Sequence, residues 1–173
     1  MIRDIPFFNY PALYAKQEDD LLPIIQNVLR RGAYIMQSDL DTFETSLARY
    51  LNVKHVIGVA DGTMALIIGL RASGIGAGDE VLVPSHTFVA TAAAAHHAGA
   101  TPVLVDCARD HLIDSADIER RINDRTRAIM PVQLIGRTAD MDKIVNIADR
   151  YNLKIIEDSA QALGSKFRNR FAG

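Results

Sequence analysis

"EVLVPSHTFVATAAAAHHAGATPVLV", residues 80–105, reads as a strand, a helix and a second strand. Glu80–Val83 and Pro102–Val105 are short runs rich in β-branched residues, bounded by turn formers. Phe88–His97 between them is mostly alanine, the strongest helix former. A helix with so little polar surface belongs between a sheet and another layer. Pro84 closes the first strand, Ser85 or Thr87 is placed to cap the helix, and Phe88 projects near the junction.

The alternation continues in both directions. Further strands are expected at Val56–Val59, Ala128–Val132 and Lys154–Glu157, and helices at Thr63–Ala72, Ser115–Asn123 and Met141–Tyr151. This pattern predicts an α/β fold, three-layered, with a mainly parallel sheet. Towards the N-terminus, an extended start leads into a helix at Glu18–Arg31, ended by Gly32, with Arg30 and Arg31 suited to its C-terminus. "SDLDTFETSLARYL" (38–51) is the next helix, with Ser38 or Asp41 as its cap and Glu44 three residues after Asp41. The tail "SKFRNRFAG" (165–173) reads as a strand turning at Asn169. Residues 1–35 are thus expected to form an extended segment and helix, and residues 36–173 part of a larger domain.

Composition excludes several classes. The 173 residues carry a net charge of -2 with 49% hydrophobic residues, which argues against a nucleic-acid groove or a polybasic membrane patch. The apolar runs are interrupted well short of a membrane span. The N-terminus does not read as a secretory signal. A single cysteine, Cys107, leaves no internal disulfide, and a cytoplasmic location is expected. His96 and His97 point about 100° apart on a helix and do not share an ion easily; no metal site is expected. "GIGAGDE" (74–80) precedes a strand, so it is not a dinucleotide fingerprint.

Three strand-to-helix junctions can carry chemistry, since open α/β sheets place ligands there. In "VADGTMAL" (59–66), Gly62 and Thr63 open a helix straight after a strand, which suits a phosphate; the plainer reading is a turn with Thr63 as cap. In "VPSHTFVAT" (83–91), Phe88 can stack on a planar ligand or fill the core. In "IIEDSAQALG" (155–164), an acid ends a buried strand, which is costly unless something positive meets it. Asp158 can hold a proton on a heteroaromatic nitrogen and Gln161 can donate to a ring substituent. Alternatively Asp158 caps a short helix and Glu157 pairs with Arg or Lys.

Together these features describe pyridoxal 5'-phosphate, and the chain resembles the DegT/DnrJ/EryC1/StrS sugar aminotransferases. The resemblance runs from "FETSLARYLNVKHVIGVADGTMALIIGLRASGIGAGDEVLVPSHTFVATAAAAHHAGATPVLVDC" through "TRAIMPVQLIG" and "ADMDKI" to "IIEDSAQALGSKF". It implies part of the large domain of a fold-type I enzyme, amino transfer from a donor such as glutamate to a keto group on a nucleotide-linked sugar, and a homodimer. It implies that Gly62 and Thr63 bind the cofactor phosphate, Phe88 stacks on the ring, Asp158 is the catalytic residue that pairs with the ring nitrogen, and Gln161 contacts the phenolic oxygen. Tyr34, in "GAYIMQ", resembles a segment near the nucleotide-sugar site. Met64, Gln133 and Ile135 depart from the residues common at those positions.

The lysine that such enzymes join to the cofactor is expected beyond residue 173. None of Lys16, Lys54, Lys143, Lys154 and Lys166 is assigned that role, and the chain alone is expected to be inactive. Two other readings stand beside this one. One is a dehydratase of the same family, with histidine at the lysine position; the other is a non-catalytic module that binds a nucleotide sugar.

Overall fold

The computed structural model describes residues 5–173; the expected extended start lies outside the described residues at positions 1–4. The chain divides into two compact units, Met1–Tyr50 with Lys54–Val56, and Leu51–Val53 with Ile57–Gly173.

The described part of the first unit is helical: α1 (Tyr10–Ala15), α2 (Glu18–Arg31) and all but the last residue of α3 (Ser38–Leu51). The first of these corrects the extended start expected there. Asn9 accepts a hydrogen bond from the Ala12 amide at 3.1 Å and Pro11 sits in the first turn, so cap and breaker together start a helix. Helix α2 ends at Gly32 in the left-handed region, with φ 65°, as a glycine after a helix allows. The start of α3 also differs from expectation. The Gln37 carbonyl accepts from the Leu40 and Asp41 amides, so Ser38 and Asp41 lie within the helix and neither caps it.

The second unit is built on a parallel sheet of β1 (Glu80–Pro84), β2 (Thr101–Val105), β3 (Thr126–Ile129) and β4 (Lys154–Ile155), in the order β2-β1-β3-β4. Side-chain alternation along β1 separates two cores. Val81 and Val83 pack with Leu66, Ile67 and Leu70 of α4 (Gly62–Ala72) and Ala94 and Ala95 of α5 (Ala90–Ala98). Leu82 packs on the other face with Ile118 of α6 (Ser115–Arg121) and Ile144 and Ile147 of α7 (Met141–Tyr151). Helices on both faces make the three layers predicted, and β1 is buried along its whole length. The alanines of α5 allow it to lie close to α4 and the sheet; Ala94 and Ala95 are fully buried.

Some strand boundaries depart from the sequence pattern. Val56–Val59 belongs to neither sheet: its apolar residues suit a pleated surface, but Ile57 and Val59 are exposed. Strand β3 ends at Ile129, ahead of Pro131, which has no amide to donate to the ladder. Pairing resumes beyond it, where Val132 and Asp158 form a single parallel bridge. The tail forms the hairpin of β5 (Lys166–Phe167) and β6 (Arg170–Phe171), turning through Arg168 and Asn169 at φ 45° and 66°, the two positive angles of a two-residue hairpin turn.

Two carboxylates tie elements of this unit together. Glu80, buried at the start of β1, accepts from Asn123 Nδ2 at 2.7 Å and from Arg125 Nε at 2.8 Å. Arg125 is therefore an ion-pair partner of Glu80. Asp117 in α6 accepts from the Asp106 amide at 2.8 Å and pairs with Arg120 and Arg121. The Asn123 bond and then Arg125 hold Glu80 below its usual value, and the Asp106 amide, with lesser help from the arginines, does the same for Asp117. A depressed folded-state pKa gives stability above the ordinary carboxylate range, about 4, and loses it as pH falls through the folded value. The urea midpoint is expected to fall between about pH 5 and about pH 3, less steeply in Glu80→Gln. Equal slopes in the two proteins would contradict this role for Glu80.

Candidate cofactor site

The connection from β1 to β2 runs through α5 on one face of the sheet, and the connection from β2 to β3 through α6 on the other. The crevice such a reversal opens lies at the carboxyl ends of the strands. A cavity of about 330 Å³ there is lined by Gly62, Thr63, Thr87, Phe88, Asp158 and Gln161, among others. That volume is at the lower end for small-ligand sites, about 300–1,000 Å³. A cavity of about 450 Å³ beside the β5–β6 hairpin is larger, but none of the junction residues singled out in the sequence lines it.

At one wall, α4 presents its N-terminus. Asp61 is the cap, accepting from the Met64 amide at 2.9 Å. The plainer sequence reading, with Thr63 as cap, is therefore corrected. The Gly62 and Thr63 amides belong to the first turn, whose N–H groups have no helical acceptor and point outward with the positive end of the helix dipole. A Cβ added at Gly62 would meet no protein atom within 4 Å. Packing does not require glycine there, and the open space leaves the backbone approachable by an anion.

Phe88 follows β1 and is 67% exposed, so it is not a core residue. Helix α5 starts at Ala90 without a side-chain cap, so neither Ser85 nor Thr87 fills that role. Thr87 instead lies 3.0 Å, oxygen to oxygen, from Thr91.

Asp158 is 8% exposed and fixed by both backbone and side chain. Its amide donates to the Pro131 carbonyl and its carbonyl accepts from the Gln133 amide, each at 2.9 Å. Its Oδ2 accepts from Thr91 Oγ1 at 3.0 Å, and its Oδ1 from the Ala160 amide at 3.3 Å. No helix follows Asp158 to be capped. Its partner in sequence, Glu157, accepts from Gln133 Nε2 at 2.7 Å, and among the described residues no Arg or Lys pairs with it.

Gln161 accepts a hydrogen bond at Oε1 from the Ile135 amide at 3.1 Å. A backbone N–H can only meet the oxygen, so this contact sets the side-chain amide and leaves its NH₂ as the donor. Ile135 holds φ 55° and ψ 36°, a left-handed conformation that costs a β-branched residue on the order of 1–3 kcal/mol. Gln133 is fully buried: its Oε1 accepts from the Ala139 amide and its Nε2 donates to Glu157 Oε2 and Met141 Sδ. It does not line the cavity. Thr91 is the residue that sequence reasoning missed; a lone threonine within a run of buried alanines was the available signal. Tyr34 lies in the first unit, exposed, with its hydroxyl donating to the Leu29 carbonyl at 3.4 Å.

This is a parallel α/β fold with a ligand-sized cavity at its topological switch point, and its relatives identify the class further. The profile of the DegT/DnrJ/EryC1/StrS aminotransferase family matches residues 15–173, and the chain belongs to that family. It is 43% identical over 170 residues to dTDP-3-amino-3,4,6-trideoxy-alpha-D-glucose transaminase of Streptomyces venezuelae, covering 98% of this chain and 45% of the relative. It is 49% identical to GDP-perosamine synthase of Caulobacter vibrioides over 166 residues, covering 94% and 43%. Among solved structures it matches S. venezuelae DesV, in complex with a ketimine intermediate, with a TM-score of 0.94 and 42% identity over 98% of this chain and 46% of that one. It matches NtdA from Bacillus subtilis with bound cofactor PMP at 0.93 and 37%, over 99% and 40%. The chain thus spans less than half the length of these relatives. Its layers are those of a fold-type I large domain, as the resemblance implied.

Gly62→Ala tests the space at the N-terminus of α4. Alanine meets no neighbour there and narrows the unfolded ensemble, so stability is expected to be unchanged or to rise by up to about 1 kcal/mol. A loss of more than about 1 kcal/mol in urea unfolding would show that glycine is required by the fold.

Proposed function

We propose that this chain forms the greater part of a pyridoxal 5'-phosphate site in an aminotransferase acting on a nucleotide-linked keto sugar. The observation that carries the proposal is the convergence, on one cavity, of an open helix N-terminus, an exposed aromatic ring and a buried, immobilised carboxylate. The donor set fits the group. The Gly62 and Thr63 amides and the Thr63 hydroxyl would hold the phosphate. Phe88 would cover one face of the ring, and the NH₂ of Gln161 would donate to the phenolic oxygen. When bound, pyridoxal phosphate supplies an electron sink for moving an amino group from a donor to an acceptor carbonyl. Asp158 would keep a proton on the ring nitrogen, for which its anionic form must be held in place; the Thr91 hydroxyl and Ala160 amide do that.

The same reading extends to substrates and assembly. Relatives named as transaminases of dTDP- and UDP-linked sugars support a nucleotide-sugar acceptor; an amino acid such as glutamate is the proposed donor, and Tyr34 a proposed contact of the sugar. Exposed apolar side chains, including Met64, Ile68, Phe88 and Val89, support a homodimer. No described helix is long and apolar enough to cross a membrane, in keeping with a cytoplasmic enzyme. No lysine lines the cavity, so the 173 residues alone are not expected to turn over substrate.

Pyridoxamine phosphate, which needs no covalent lysine, is the direct probe. Titration followed by its fluorescence is expected to show saturable binding, weakened about tenfold or more in Asp158→Asn, as loss of a charged hydrogen-bond partner predicts. No binding, or equal binding by Asp158→Asn, would overturn the assignment.

A further inference from the structure

We infer that Thr91 is the positioning residue for Asp158, at the end of a directed hydroxyl chain that starts from Thr87 in the cavity; this rests on the cofactor reading above. Thr91 is fully buried in α5, in the sequence "ATAAAAHHA". A buried hydroxyl is costly unless bonded, and alanine at that position would favour the helix more. A threonine within a helix ordinarily returns its hydroxyl to the carbonyl four residues back. Thr91 sends its proton instead to Asp158 Oδ2, 3.0 Å away, joining α5 to the end of the segment that follows β4.

A hydroxyl has one proton. Because Thr91 donates to the carboxylate, the 3.0 Å contact with Thr87 must have Thr87 as donor. Both protons then point towards Asp158. The second carboxylate oxygen is bonded to the Ala160 amide on Asp158's own loop. Two oxygens held from two different elements fix the carboxylate plane, which neither contact alone can do. Thr91 touches no ligand in this arrangement; it acts through Asp158, whereas Thr87 lines the cavity directly.

The test is a binding cycle with pyridoxamine phosphate on the 173-residue chain. Thr91→Val keeps the volume and removes the hydroxyl; Thr91→Ser keeps the hydroxyl. Thr91→Ala is a second deletion in case valine disturbs folding, and thermal unfolding is recorded for each. Thr91→Val or Thr91→Ala is expected to weaken binding about tenfold, the usual effect of one charge-assisted hydrogen bond. Thr91→Ser should stay within about threefold of the unsubstituted chain. In an Asp158→Asn background, Thr91→Val should cost little more, because residues acting through one contact are not additive. Competition by inorganic phosphate should be the same for Thr91→Val and the unsubstituted chain. Full additivity, unchanged affinity in the folded Thr91 variants, or failure of Thr91→Ser to preserve binding would overturn the inference. Absence of binding by the unsubstituted chain would instead remove the cofactor reading, and this inference with it.

Discussion

Asp158 is the residue on which the candidate site depends, because it closes the sheet and faces the cavity at once. Its main chain is paired on both sides of Val132, to Pro131 and Gln133, which carries the parallel register past the point where Pro131 interrupts β3. Its side chain is tied to α5 through Thr91. Each carboxylate oxygen accepts one hydrogen bond, from Thr91 and from the Ala160 amide, and the backbone is paired on both sides, so the group is held in place before a ligand arrives. A slip of one residue in the Val132–Asp158 pairing would turn the carboxylate to the opposite face of the sheet, where Ile129 and Ile144 pack.

The polarity of the cavity follows from the fold. Free amides at the start of α4 give one wall a positive potential, and Asp158 gives another a negative charge. Asp61 lines the same cavity, but its Oδ1 is engaged by the Met64 amide, which leaves the Gly62 and Thr63 amides to an anion. A ligand with a phosphate on one side and a protonated ring nitrogen on another matches both ends. Gln161 adds a donor whose direction is fixed by a strained backbone turn at Ile135. Strain kept at that position is understandable if the turn's task is to present that amide.

Much of this was legible in the sequence. The strand–helix alternation gave the three layers, since buried parallel strands need continuous apolar runs and their crossovers need helices. Gly62, Thr63, Phe88, Asp158 and Gln161 were selected as junction residues, and they line one cavity. What could not be read there depended on partners distant in sequence. Thr91 and Asp158 are 67 positions apart, and Gln133 is paired with Glu157 across β3 and β4. Capping was misplaced for a local reason: Asp61 and Thr63, or Gln37 and Ser38, are a residue or two apart, and composition alone does not choose between them. The departures at Gln133 and Ile135 also separate in the structure. Gln133 is buried away from the cavity, while Ile135 orients Gln161 through its backbone and not its side chain.

The most direct measurement is NMR of pyridoxamine phosphate carrying a nitrogen label in its ring, bound to this chain. Asp158 as the ring partner predicts the protonated pyridinium signal in the complex above the pH at which the free ring loses its proton, and loss of that signal in Asp158→Asn. A ring nitrogen that is unprotonated when bound, or equally protonated in both proteins, would contradict the role assigned to Asp158.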